Sequence, residues 1–233
     1  MSQVTNLAYF YETSRKVRGG RAVWVKDSNG ENRKNVLLGG TILNPNKGFG
    51  HLWAAQLVQY TPAEGCLIFR SFETSADTAA NSTTVKIKGD GYSDAPEVGQ
   101  YLMVAPVSAT TAGAYAQVTA VSYNASAGEF TVTIANKLSS SKIDAGAILV
   151  ESDAAADAAL AEPTGSAYVL VPNPNTFIEA DHDLLPTEGY GIENANYAIS
   201  TVHDKEAWIA RMQPLPDYVL AKNRSYIKGI FWI

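Results

Sequence analysis

Thr84-Val85-Lys86-Ile87-Lys88, stopped by Gly89-Asp90-Gly91, and Phe130-Thr131-Val132-Thr133-Ile134, entered from Asn124-Ala125-Ser126-Ala127-Gly128, decide how the chain folds. Apolar and polar residues alternate with a period of two in both, and turn-forming residues bound each stretch. That is the pattern of a strand with one face on a core and one in water. Outward from this pair, residues 99–104 read as a further strand and 114–123 alternate less strictly, through Tyr115, Val118 and Val121. Residues 146–151 close the series. About five short strands separated by turn signals predict a small β-barrel or sandwich.

The flanks are less regular. Residues 1–50 hold no sustained period, and turn signals fall at Gly19-Gly20, Asn29-Gly30, Gly39-Gly40 and Asn44-Pro45-Asn46. One strand is predicted at 22–26, with Val23 and Val25 on one face and Trp24 on the other, and Asp27-Ser28-Asn29-Gly30 turns it into Val36-Leu37-Leu38. Leu52, Trp53, Leu57 and Val58 predict a short helix, 66–72 a strand, and 71–82, poor in bulky residues, an exposed linker. The Ala-rich acidic stretch 152–162 predicts a short helix ended by Pro163-Thr164-Gly165. Strands are expected at 168–171, 197–202 and 207–212, with loops over 172–196. The tail from Tyr226 to Ile233 is too apolar for water and is expected in a core or an interface.

The fold class is therefore mainly β, a small barrel or sandwich with an extended N-terminal arm and a β-rich C-terminal segment. The expected division is 1–50 for the arm with its hairpin, 51–150 for the barrel or sandwich, and 151–233 for a loop-rich β segment that completes or packs on the core.

The 233 residues are 46% hydrophobic and 18% charged, enough apolar material to fold and unlike a disordered chain. Cys66 is the single cysteine, so a disulfide framework and a cysteine zinc site are both excluded, and it is expected as a buried small hydrophobe. No basic start followed by an apolar stretch opens the chain, and no apolar run approaches a membrane span, so a soluble, untargeted protein is expected. Charge is polarised along the sequence: residues 1–50 carry eight Lys/Arg against three Asp/Glu, and 151–206 carry one Lys against eleven Asp/Glu. A nucleic-acid arm, head-to-tail attraction between subunits and a basic arm seeking an acidic partner surface are the three readings of that asymmetry. The acidic whole, with pI near 5.2, argues against nucleic acid.

Lys86-Ile87-Lys88-Gly89, Val98-Gly99-Gln100-Tyr101-Leu102, Tyr115-Ala116-Gln117-Val118-Thr119-Ala120-Val121, Phe130-Thr131-Val132 and Gly146-Ala147-Ile148-Leu149 together resemble the β domain of tailed-phage head-fibre and capsid-decoration proteins, especially those of phages of Bacteroides-like hosts. Pro214-Leu215-Pro216 before an apolar end is similar to the same group, so the resemblance spans about residues 80–233. It implies a virion protein made in the bacterial cytoplasm and seated on the capsid exterior, with the major capsid protein as partner and a symmetric oligomer as its state. The apolar tail and the opposite charge of its segments point the same way, to a homo-oligomer, with a trimer expected. No membrane partner is expected.

In residues 1–50, Tyr9, Phe10, Tyr11 and Trp24 are candidate capsid-contact anchors, with Arg15, Lys16, Arg18 and Arg21 as charge complement, since interface hot spots favour Tyr, Trp and Arg. Chemistry has few candidates. Glu179-Ala180-Asp181-His182-Asp183 could ligate a cation but has no second spaced half, so a solvated loop is the preferred reading. Asp90 between two glycines reads as turn chemistry rather than calcium binding. No enzyme, metal or cofactor is expected. The alternative function is a carbohydrate-binding or adhesive module of a phage tail or head that recognises a host-surface glycan, with His203-Asp204 near Trp208 as its candidate site and packing as the commoner use of that Trp.

Overall fold

The computed structural model describes residues 36–44, 51–53, 55–61, 65–89, 95–156, 166–178, 182–183, 196–202, 207–208, 212–223 and 227–228. Its strands, in chain order, are β1 (Val36–Thr41), β2 (His51–Leu52), β3 (Leu57–Thr61), β4 (Gly65–Ile68), β5 (Ser71–Glu73), β6 (Thr84–Lys88), β7 (Tyr101–Val104), β8 (Tyr115–Asn124), β9 (Glu129–Ile134), β10 (Ile148–Glu151), β11 (Thr176–Ile178), β12 (His182–Asp183), β13 (Asn196–Val202), β14 (Ala207–Trp208) and β15 (Ile227–Lys228), with one helix, α1 (Asp217–Asn223). The mainly β class expected from the sequence is what the structure shows.

The alternation at Thr84–Lys88 becomes β6, whose residues run exposed, buried, exposed, buried, exposed. Its sheet has the order β5-β10-β7-β8-β9-β6, antiparallel at every step. Just past β5 the chain returns to β6 through an antiparallel bridge of Thr74 to Ile87, and Ser75 N donates to Lys86 O at 2.9 Å. The sheet therefore curls until its first and last strands meet at this bridge, the arrangement of a six-stranded barrel. Phe72, Val85, Ile87, Leu102, Val118, Phe130, Val132, Ile134 and Leu149 fill it. Gly89 is required where β6 leaves: a Cβ there would lie 2.7 Å from the Tyr123 ring and 2.9 Å from Gly128 O.

The second sheet has the order β1-β13-β11-β3-β4, again antiparallel between neighbours. Four antiparallel steps leave its outer strands parallel, and they meet in that sense: Ile42 bridges Cys66 in parallel, and Leu43 N donates to Cys66 O at 2.8 Å. This sheet too curls until its outer strands meet, at the bridge just past β1, around Ile42, Leu52, Val58, Cys66, Ile68 and Ile178. Between the two barrels lies a third apolar layer, with Leu57, Phe69 and Phe177 from the second barrel, Met103, Tyr115 and Val150 from the first, and Met212, Leu215, Tyr218 and Val219 from around α1.

Several local expectations are corrected by this arrangement. The helix predicted around 52–58 is absent: Ala55 sits at φ 63°, and adjacent Leu57 and Val58 bury into different cores, which a strand permits and one face of a helix does not. The apolar run 66–72 is two strands, β4 and β5, in different barrels, broken at Phe69-Arg70. Residues 71–82 are not an exposed linker, since Ser71–Glu73 is β5 and Thr74 and Thr78 are buried. Residues 168–171 make only an isolated bridge, Ser152 to Val169, rather than a strand. Over 152–162 the described part is a 3-10 turn at Asp153–Ala156, and over 207–212 the strand is Ala207–Trp208. The first barrel begins at Ser71 rather than residue 51, because β3 and β4 belong to the second barrel, as does β1, which was assigned to the arm.

Candidate functional site

Asn44 follows the parallel seam of the second barrel and extends it with its side chain. Ile68 N donates to Asn44 Oδ1 at 2.7 Å and Asn44 Nδ2 donates to Ile68 O at 2.9 Å, so the carboxamide stands in for a peptide group. The same Nδ2 lies 3.2 Å from Oε2 of Glu151, the last residue of β10 in the first barrel. Both side chains are buried, and Arg70, Gln100 and Glu97 act on the carboxylate. Arg70, in the two-residue link between barrels, donates to Ala95 O at 3.2 Å and lies 3.6 Å from the Glu97 carboxylate. Gln56 and Gln213 both donate to Phe69 O, at 3.3 and 3.0 Å, and Ser71 Oγ donates to Pro214 O at 2.5 Å. A polar knot thus sits where the barrels join, locked by the segment that leads into α1.

Its electrostatics are dominated by burial. Removal from water pushes the Glu151 carboxyl up to about 7, while the Arg70 charge, the hydrogen bond from Asn44 and the nearby Gln100 carboxamide pull it back and the Glu97 charge adds to the rise. Cys66 lies in the second core, as expected, and burial pushes its thiol up to about 11. The knot is closed to solvent at 4% exposure for Glu151 and 1% for Arg70, so its role is to hold the barrels in register.

The outer surface is of a different kind. On the side of the first barrel facing water, register places Thr84 beside Thr133, and Thr131 between Lys86 and Ser122. Lys86 pairs with Glu129 at 2.7 Å and Lys88 with Glu73, the second across the strands that close the barrel. Lys142 lies 2.8 Å from both Asp77 and Asp144. Large apolar side chains in water include Val107, 86% exposed in the loop after β7, Val98 at 61%, and Tyr168 at 49%. These are recognition materials, a neutral threonine face with paired charges and isolated apolar points.

The contact candidates Tyr9, Phe10, Tyr11, Arg15, Lys16, Arg18, Arg21 and Trp24 lie outside the described residues, as do the strand predicted at 22–26, Asp90, Glu179, Asp181, His203 and Asp204. His182 and Asp183, expected in a solvated loop, form β12 against β2, with His51 opposite Asp183 in the register. Trp208 is in β14, parallel to β15, which takes up Ile227 and Lys228 of the apolar tail. Asn44, Arg70, Gln100 and Glu151 were not singled out from the sequence; the signal available was Arg70 itself, a charge set between Phe69 and Phe72 in an otherwise apolar run. No protein-family model matches the chain, and no curated protein matches it.

Proposed function

We propose that this protein is a structural component of a tailed-phage virion that binds the outer surface of the capsid as a decoration or head-fibre protein, through a surface rather than a pocket. The observation that carries the reading is the double barrel: two closed β cores share one apolar layer, and the chain leaves that block at Val36 directly into a basic, aromatic-rich sequence. Each sheet curls until its outer strands meet, which shortens the edge that an open sheet would leave free. A basic sequence rooted in the second barrel supplies Tyr, Trp and Arg for a partner surface, and repetition over a lattice multiplies modest affinities. The half-exposed Tyr168 ring favours glycan binding as the second reading, since an aromatic face stacks on sugar.

Quantitative mass spectrometry of purified particles tests the proposal. Copies comparable to the major capsid protein are expected, and absence from particles overturns it. In the same particles, a chain lacking residues 1–25 is expected to lose capsid attachment while keeping its β circular dichroism; undiminished attachment would reject the basic segment as the grip. A glycan array that binds the protein, together with its absence from capsids, would favour the second reading.

A further inference from the structure

We infer that the buried polar knot is a proton-operated lock between the two barrels, tight when Glu151 is neutral and loosened when it ionises. Glu151 ends the strand of the first barrel that pairs with both β5 and β7, and its carboxylate reaches the one side chain, Asn44, that prolongs the closing seam of the second. Whatever changes at this carboxyl is therefore felt at the seam.

Burial gives the direction. Among the described residues, the charged groups that act on Glu151 are Arg70, from the link between β4 and β5, and Glu97, from the turn before β7; Asn44 and Gln100 are its polar neighbours. Arg70 lies within 3.6 Å of the part-exposed Glu97 carboxylate and offsets an ionised Glu151 only in part, so ionisation puts a charge on a carboxyl that is 4% exposed. A neutral Glu151 leaves Arg70 to Glu97 and still accepts from Asn44 through a carbonyl oxygen, so neutralisation keeps the seam bond and removes the cost of a buried charge.

The sign follows from linkage. Burial raises the Glu151 carboxyl to about 7, above its value in an opened chain, so the closed knot binds a proton that the open one releases. The stabilisation is complete below the ordinary carboxylate range and is lost as pH rises through about 7.

Hydrogen exchange on the full chain at a series of pH values, corrected for intrinsic exchange, reads this directly. The amides of Leu43 and Ile68, which bond across the seam, are expected to lose at least about tenfold in protection between pH 5 and pH 8, whereas Val132 in the first barrel keeps its own. In Glu151→Gln, which is neutral at every pH, the seam is expected to stay protected at pH 8. Seam protection that is flat with pH in the unaltered protein overturns the inference, and so does an equal loss in Glu151→Gln. Should Glu151→Gln fail to fold, the carboxyl titration of Glu151 in the unaltered protein decides alone: a midpoint in the ordinary carboxylate range overturns the lock.

Discussion

Asn44 offers both halves of its carboxamide to the backbone of Ile68, and so does the work of one more residue of strand where Pro45 would interrupt the ladder. Both backbone groups it satisfies are buried with it, and a buried amide left without a partner costs far more than a hydrogen bond gains. Asn44→Ala is expected to destabilise the protein by about 2–4 kcal/mol, two unmet groups at roughly 1–3 kcal/mol each less some relaxation. Asn44→Asp keeps the bond from Ile68 N but sets a carboxyl against Glu151, and is expected to unfold more readily at pH 8 than at pH 5. Urea denaturation at the two pH values checks both variants. A stability for Asn44→Ala equal to the unaltered protein would mean that the seam is closed by other contacts.

The ten residues of β8 serve two neighbours, β7 with the first part and β9 with the rest, and the register shifts between Val118 and Ala120. Ala116 and Val118 face the barrel interior before that point, and Val121 and Tyr123 pack on the same core after it, so the inward positions change from even to odd. Thr119 is the extra residue of this bulge, and such a residue bends its strand and lets one sheet turn a barrel corner. Deleting Thr119 would leave Ala116, Val118, Val121 and Tyr123 in strict alternation on one face but would remove the bend that turns the barrel corner, so that the two halves of β8 could no longer both follow β7 and β9. The expected result is a barrel that no longer melts cooperatively, visible as a broadened thermal transition; a sharp transition at the original temperature would show that the bulge is dispensable. The looser alternation noticed at 114–123 was this bulge seen in sequence. β6 and β9 were legible because each has one wet face. By contrast β3, β4 and β11 send neighbouring apolar side chains into two different cores, so their apolar runs carry no period and Leu57-Val58 imitates a helix face. α1 was missed for the opposite reason, that seven residues after Pro216 are too short to show a repeat. The polar knot was illegible because its members come from residues 44, 70, 97, 100 and 151, which only the closing of both barrels brings together.

One barrel is inserted into the other. The second barrel is built from β1, β3 and β4 before the insertion and from β11 and β13 after it, while the first runs from Ser71 to Glu151 without interruption. Insertion of a whole unit requires its two ends to be neighbours, and they are: Ser71 pairs with Val150 in the register of β5 and β10. Among the described residues, the interior of the first barrel is supplied from within that span, from Phe72 to Leu149. Residues 71–151 alone are therefore expected to fold, with the exchange protection at Val85 and Val132 that they have in the full chain. The second barrel has no such independence, since its strands are separated in sequence by the whole insertion and their pairing pays the greater loop-closure entropy. The isolated first barrel should also betray the face it has lost its cover from. Met103, Tyr115 and Val150, buried against the second barrel and α1 in the full chain, would lie in water together, and a contiguous apolar patch of that kind associates. Sedimentation of the 71–151 fragment is expected to show a concentration-dependent dimer that Met103→Lys returns to a monomer, with the barrel still folded. A fragment that is unfolded at every concentration would mean that the shared layer, rather than the barrel interior, holds the first barrel closed.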